Sequence, residues 1–176
     1  NKLKKILIIS STNNSNFDLS KDIKFFFDKK KGISSEIISL EKYELPLYTP
    51  TLENDFEITK SFPEQIQILK DILLNSEAII WCSPEYNGGV PPILTNCIAW
   101  ISRATSNWKD AFSEKKMLVC SSSGGNGKSF VESFKLQLKY LGSYVSENSI
   151  IKTKKNNYDV NIFEDTLNDF YKSIKS

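Results

Sequence analysis

The sequence contains no histidine, and this absence removes several kinds of catalytic site. Ser-His-Asp and Cys-His nucleophile systems need an imidazole base, and the common zinc sites use histidine ligands. Arginine is also scarce, because Arg103 is the only arginine in the sequence and the other cationic side chains are lysines. A histidine-dependent hydrolase is therefore excluded.

Cysteine is scarce as well. Cys82, Cys97 and Cys120 are odd in number and form no C-x-x-C pair. All three fall on predicted buried elements, which is typical of core thiols in a reducing compartment. We therefore expect free thiols and a cytoplasmic location.

Long apolar runs are absent too. No run approaches the roughly 20 residues that a membrane-spanning helix needs, and no apolar leader precedes the first predicted strand. We therefore expect neither a membrane span nor a signal peptide. The net charge of +2 gives no reason to expect nucleic acid or a membrane as partner. The length suits one domain with a sizeable core, so we expect residues 1–176 to form a single domain.

Strand and helix patterns alternate five times along the chain. The predicted strands cover residues 3–10, 35–40, 78–82, 116–122 and 143–151. Apolar residues at helical spacing follow each strand. This alternation predicts an α/β fold, with a five-stranded parallel sheet, right-handed crossovers and helices on both faces. The flavodoxin-like order 2-1-3-4-5, a three-layer sandwich, suits five strands. Residues 41–59 are predicted to be a long polar connection, and loops of this length tend to be functional.

Three polar loops follow the carboxyl ends of predicted strands one, three and four. We name them the first loop (10–16), the second loop (83–91) and the third loop (121–127). Open α/β sheets bind ligands at the carboxyl edge, where the strand order reverses. In the predicted order that point lies between strands one and three. We therefore expect the three loops to flank one crevice.

The first and second loops suit different parts of a ligand. The first loop offers helix N-terminal amides with hydroxyl and amide side chains, but no lysine or arginine. It could cradle a phosphate through hydrogen bonds, or form a polar turn with a helix cap. The second loop places Tyr86 and Asn87 beside two glycines. That arrangement suits a flat amphipathic ligand, or a turn whose tyrosine caps the sheet.

The third loop resembles a Walker A phosphate loop in part. Residues 122–129 read S-x-x-x-x-G-K-S, so only the first glycine of the pattern is missing. A nucleoside triphosphatase normally places this loop early and follows it with an apolar strand that ends in aspartate, and neither feature is present. We therefore interpret Gly124, Gly125 and Gly127 as positions where the backbone approaches a ligand.

At this point the sequence resembles a known family. The stretch SPEYNGGVPPILTNCIAWISR, residues 83–103, is similar to the signature of the NADPH-dependent FMN reductase-like proteins of the flavodoxin superfold. That family includes flavin, azo-dye, quinone and chromate reductases. YELPLYTP and SSGGNGKS are similar to two further family motifs, so the resemblance covers almost the whole chain.

The resemblance implies a bound FMN, with NADPH or NADH as electron donor. It assigns the 5′-phosphate to the first loop, the isoalloxazine to the second and the pyrimidine edge to the third. The residues in these three groups are Ser11, Asn13, Ser15 and Asn16; Pro84, Glu85, Tyr86, Asn87 and Gly88; and Ser122, Gly124 and Gly125. Hydride would pass through N5 of FMN to a quinone, free flavin, azo compound or metal oxyanion. The kinetics would be ping-pong, with no catalytic side chain and no metal.

The sequence also departs from the family pattern. The first loop reads Ser10-Ser11-Thr12-Asn13 where the family usually has G-S-x-R. The missing arginine weakens the expected contact with the extra phosphate of NADPH, so NADH stays open as the donor. Arg103 matches a family arginine at the helix end, although a cation there also complements the helix C-terminus.

Assembly and function leave further alternatives. The family commonly forms dimers or tetramers, and the interface candidates here are Trp100, Trp108 and residues 46–50. Both tryptophans also suit a core position.

A flavodoxin-type electron carrier is a second functional reading, although typical carriers are strongly acidic and this chain is not. A flavin-free binding protein that kept the fold is a third, favoured by the altered first loop.

Overall fold

The computed structural model of the protein describes residues 2–155 and 159–176. The strands are β1 (Lys4–Ser10), β2 (Ile33–Ser39), β3 (Ala78–Cys82), β4 (Lys116–Ser123), β5 (Tyr144–Val145) and β6 (Ile150–Thr153). The α-helices are α1 (Ser15–Phe27), α2 (Pro50–Thr59), α3 (Glu64–Leu74), α4 (Pro92–Ala104), α5 (Lys128–Tyr140) and α6 (Val160–Lys175), and a 3₁₀ helix spans Leu40–Tyr43. Within the described ranges, no helix combines the length and apolar character needed to cross a membrane.

The predicted strand order is confirmed. The strands form one sheet in the order β2-β1-β3-β4-β5, and every neighbouring pair is parallel. All of β3 and the second half of β1 are buried, as expected of central strands covered by helices on both faces. Their carboxyl ends therefore emerge side by side from the middle of the sheet.

A separate apolar core lies on each face of the sheet. One core gathers residues of α3, α4 and α5 around Trp81, whose ring meets Phe134 edge-on at 5.3 Å. The other packs α1 and α6 against the opposite face, with Phe27 and Leu167 fully buried. Burial of each large apolar side chain contributes roughly 1.5–3 kcal/mol. The two cores make the predicted three-layer sandwich.

The fifth strand differs from the prediction. Residues 143–151 do not form one strand, because the polar segment 146–149 separates β5 from β6. β5 pairs with the start of β4, whereas β6 pairs with its end, from Cys120 to Ser123. Within the described ranges the sheet therefore has six strands, and β6 supports the part of β4 that leads into the third loop.

The prediction of a long connection over 41–59 is wrong. Its first residues belong to the 3₁₀ helix, and α2 occupies its second half. The Thr49 hydroxyl accepts a hydrogen bond from the Leu52 amide at 3.1 Å, and Pro50 is the first residue of α2. Thr-Pro is a helix-start signal, because proline lacks the amide that would go unpaired there. The aromatic ring of Phe56 then packs on Trp100 at 5.6 Å.

We expect Gly142→Ala to lower the free energy of unfolding by about 2 kcal/mol, or roughly 4–8 °C in Tm. Gly142 follows α5 with φ of +89°, and a Cβ there would lie 2.8 Å from the Ser113 hydroxyl oxygen. Urea unfolding of Gly125→Ala is the matched control, because a Cβ at Gly125 meets no atom within 4 Å. Equal losses in both variants would contradict this account of Gly142.

Candidate functional site

Hydrogen bonds join the three loops at the carboxyl edge of the sheet. The Ser11 amide donates to the carbonyl oxygen of Cys82 at 2.9 Å, and the Ser83 amide donates to that of Cys120 at 3.1 Å. The Ser121 hydroxyl donates to the Ser83 carbonyl oxygen at 2.7 Å. The strand ladder therefore continues into the loops, so the three loops lie together at one edge as expected, and a crevice between them stays a prediction.

Asn16 connects the first loop directly to the third. Its side chain is buried, donates from Nδ2 to the Ser122 carbonyl oxygen at 2.9 Å, and accepts at Oδ1 from the Ser122 amide at 2.8 Å. Its backbone carbonyl also accepts from the Ser20 hydroxyl at 2.7 Å. The side chain assigned to the phosphate by resemblance thus holds two loops at a fixed distance.

Glu85 connects the second loop to α5. Its carboxylate accepts a hydrogen bond from the Phe130 amide at 3.0 Å, in the first turn of that helix. A negative charge at a helix N-terminus satisfies an otherwise unpaired amide and complements the helix dipole. Glu85, assigned to the isoalloxazine by resemblance, therefore has a capping role in this structure. Pro84 beside it is buried.

The centre of the second loop is a tight hairpin. Tyr86 and Gly89 exchange two backbone hydrogen bonds, at 3.2 and 3.0 Å. The two residues between them, Asn87 and Gly88, have φ of +52° and +70°. Two positive φ angles define a type I′ turn, for which Asn-Gly is the preferred sequence. The turn leaves Tyr86, Asn87 and Gly88 exposed at the sheet edge.

The first loop contains an unpartnered buried hydroxyl. Ser11 is 1% exposed, and within the described chain its hydroxyl oxygen has no hydrogen-bond partner. Asn13, Asn14 and Ser15 are exposed beside it, and no side chain among the described residues caps the start of α1. A buried polar atom without a partner calls for an explanation, and an anion held by Ser11 and the first amides of α1 supplies one.

Two residues that sequence reasoning missed also contact the first loop. The Asn13 amide donates to the carboxylate of Glu41, and the Asn13 side-chain oxygen accepts from the Ser39 hydroxyl. Ser39 ends β2, and Glu41 lies in the 3₁₀ helix that follows. The signal was present in the topology, because β2 pairs with β1 and their carboxyl ends share one edge.

The glycines of the third loop have two different roles. Gly124 and Gly125 are exposed, and Gly125 faces open space. Gly127 instead is buried at the start of α5 with φ of +71°, and a Cβ there would lie 3.2 Å from Ile151. Packing and backbone conformation therefore already require glycine at position 127, and its approach to a ligand stays a prediction.

Cys97 and Cys120 are not reactive thiolates. Burial raises the pKa of Cys97 to about 12, and burial together with a hydrogen bond from the Cys120 thiol to Cys82 raises the pKa of Cys120 well above its usual value. Both thiols are therefore protonated at neutral pH and cannot attack a substrate. Among the described residues, no group of three histidine, cysteine, aspartate or glutamate side chains could hold a metal ion.

We expect Asn16→Asp to lower the free energy of unfolding by roughly 2–4 kcal/mol. Aspartate keeps the size and the acceptor, but it turns the Nδ2 donor into an oxygen that faces the Ser122 carbonyl. Asn126→Asp is the matched control, because Asn126 is exposed and its side chain only accepts, from the Lys128 amide. Urea unfolding measures both variants, and equal stability of Asn16→Asp and the wild type would contradict the role of Asn16.

Sequence comparison finds relatives that are similar to this chain over only part of their own length. An uncharacterized protein of Mycoplasma pneumoniae is 30% identical over 116 residues, which cover 65% of this chain and 63% of that protein. NADPH:quinone oxidoreductase of Arabidopsis thaliana is 31% identical over 78 residues, or 44% of this chain and 38% of that enzyme. The matches thus span less than two thirds of the length of these curated relatives.

Solved structures share the fold over nearly the full chain. FerB, a flavoenzyme NAD(P)H:(acceptor) oxidoreductase from Paracoccus denitrificans, has a TM-score of 0.74 at 19% identity, covering 98% of this chain and 96% of that one. An FMN-dependent NADH-azoreductase from Bacillus anthracis, solved with FMN, has a TM-score of 0.64 at 15% identity, covering 98% of both chains. Residues 4–156 match the sequence profile of NADPH-dependent FMN reductase, so the chain belongs to this family.

Proposed function

We propose that this protein is an FMN-dependent NAD(P)H oxidoreductase that reduces a small acceptor. The observation that carries the proposal is the buried Ser11 hydroxyl, which has no hydrogen-bond partner among residues 2–155 and 159–176, next to the start of α1, which no side chain of those residues caps. That arrangement suits the phosphate of a ligand whose flat part reaches the Tyr86 hairpin. Membership of the NADPH-dependent FMN reductase family supports FMN as that ligand.

The residues divide into those that would touch FMN and those that position them. The phosphate would be held by Ser11 and by exposed donors of the first loop, and the ring would lie along the hairpin with its polar edge at the third loop. The proposed contact residues are Ser11, Asn13, Ser15, Pro84, Tyr86, Asn87, Gly88, Ser122, Gly124 and Gly125. Asn16 and Glu85 would position these loops through the backbone atoms that they bind.

The proposed chemistry belongs to the cofactor, and the chain arranges it. FMN, when bound, supplies hydride transfer from a nicotinamide to the acceptor. The protonated Cys97 and Cys120 thiols offer no nucleophile. An open hairpin edge that admits donor and acceptor in turn would give ping-pong kinetics. A quinone is the acceptor that the Arabidopsis relative favours, and flavins, azo compounds and metal oxyanions are the other proposed classes.

An exposed aromatic surface supports a homodimer or homotetramer. Trp108 and Tyr140 lie 5.7 Å apart, and with Tyr48 and Arg103 they line an open cavity of about 440 Å³. Trp100 does not belong to this surface, because it is fully buried and its indole donates to the Pro46 carbonyl oxygen at 2.7 Å. The three free cysteines fit a reducing compartment such as the cytoplasm.

Anaerobic reduction tests the proposed function. We expect the protein to bind FMN, and NADH or NADPH to bleach the visible absorption of the bound flavin. Addition of a quinone, which takes the two electrons from the reduced flavin, should restore the absorption without any other oxidant. Bound flavin that neither nucleotide reduces would point to an electron carrier instead. Failure to bind FMN at all would favour the flavin-free reading and overturn the proposal.

We expect Ser11→Ala to weaken FMN binding roughly tenfold or more, because a hydrogen bond to a charged group contributes about 1.5–3 kcal/mol. Riboflavin, which lacks the phosphate, should bind as before, and the free energy of unfolding should not fall, because the wild-type hydroxyl has no partner in the part of the chain that the structure describes. Quenching of flavin fluorescence measures both affinities. Ser121→Ala is the control. The Ser121 hydroxyl already donates to the Ser83 carbonyl oxygen, so its loss should leave the ratio of FMN to riboflavin affinity unchanged. An unchanged ratio of FMN to riboflavin affinity in Ser11→Ala would refute the assignment.

A further inference from the structure

We propose that Glu41 competes with the flavin phosphate for the first loop and so sets how tightly the protein holds a phosphorylated flavin. This inference rests on the proposed function. Glu41 lies outside the motifs whose resemblance assigns the flavin contacts. The inference predicts a difference in affinity between FMN and riboflavin, which the fold alone does not predict.

The contact that carries the inference joins two exposed residues. The Glu41 carboxylate accepts the backbone amide of Asn13, which is one of the exposed donors at the mouth of the first loop. The Ser39 hydroxyl holds the Asn13 side chain in place from the same side. The protein's own anion therefore occupies an amide that an incoming phosphate would otherwise use.

The local charge makes this competition strong. Residues 10–16 contain no lysine or arginine. Lys21 and Lys42 lie nearby, but their ammonium groups sit over the Phe17 ring, 5.0 and 5.6 Å from its centre. A phosphate monoester carries about −1.5 to −2 charges at neutral pH, so it would meet the Glu41 carboxylate with no cation in the loop to offset the repulsion.

The exposed position of Glu41 allows the carboxylate to leave. It lies on a short 3₁₀ helix rather than in the core, so its side chain can turn into water when a phosphate binds. Each binding event must then replace an existing hydrogen bond, so FMN gains less affinity from its phosphate than it would if Glu41 were absent. Glu41 thereby determines whether the flavin stays bound between turnovers or exchanges with the free pool.

Flavin affinities of Glu41 variants test the inference. Dissociation constants for FMN and for riboflavin are measured by fluorescence quenching in the wild type, Glu41→Ala, Glu41→Gln and Glu44→Gln. We expect Glu41→Ala to bind FMN about tenfold more tightly, because it removes both the charge and the competing acceptor. Glu41→Gln, which keeps an acceptor, should show a smaller gain, and riboflavin affinity should not change in either variant.

The control and the salt dependence separate a direct contact from a general charge effect. Glu44→Gln removes the same charge three residues further along, beyond the 3₁₀ helix, and should leave both affinities unchanged. Added salt should reduce the gain in the Glu41 variants, since it screens exposed charges.

Two negative results have different meanings. An FMN to riboflavin ratio that stays unchanged or falls in both Glu41 variants, while the wild type binds flavin, would overturn this inference and leave the proposed function intact. Absence of flavin binding in every variant and in the wild type would contradict the proposed function itself, and this inference with it.

Discussion

The site depends on the two hydrogen bonds between the Asn16 side chain and the backbone of Ser122. They are buried, they satisfy a carbonyl and an amide that would otherwise be unpaired, and they set the distance between the first and third loops. Glu85 does the same between the second loop and α5. Side chains that a motif would assign to the ligand thus hold together the loops that carry the proposed ligand contacts.

Much of the fold could be predicted because its signals are local or follow general rules. The fully apolar stretch of β3 predicted a central strand, and alternation with helices predicted the parallel order. The break between β5 and β6 was not predictable, because it depends on which end of β4 each segment pairs with. α2 was missed although Thr49 and Pro50 mark its start, because its face has no fully buried residue to give a clear apolar period.

The loops that form the candidate site could be predicted from the sequence, whereas the role of each residue within them could be predicted only in part. The edge of the sheet and its three loops followed from topology alone. The direction of each side chain did not, so Asn16 and Glu85 could not be distinguished from Ser11, whose hydroxyl has no partner among the described residues. Glu41 was missed because a contact between the ends of β1 and β2 joins residues far apart in the chain. Motif resemblance names positions, whereas hydrogen bonding decides what each position does.

The hairpin from Tyr86 to Gly89 has a consequence for ligand exchange. The hairpin is held by two cross-turn hydrogen bonds, and Asn87 and Gly88 adopt the left-handed conformation. Its shape is therefore set by its own backbone and not by a ligand. If a planar ring binds there as proposed, the hairpin loses little conformational freedom on binding and regains little on release. A rigid surface of this kind can bind one aromatic molecule after another without a conformational change between binding events.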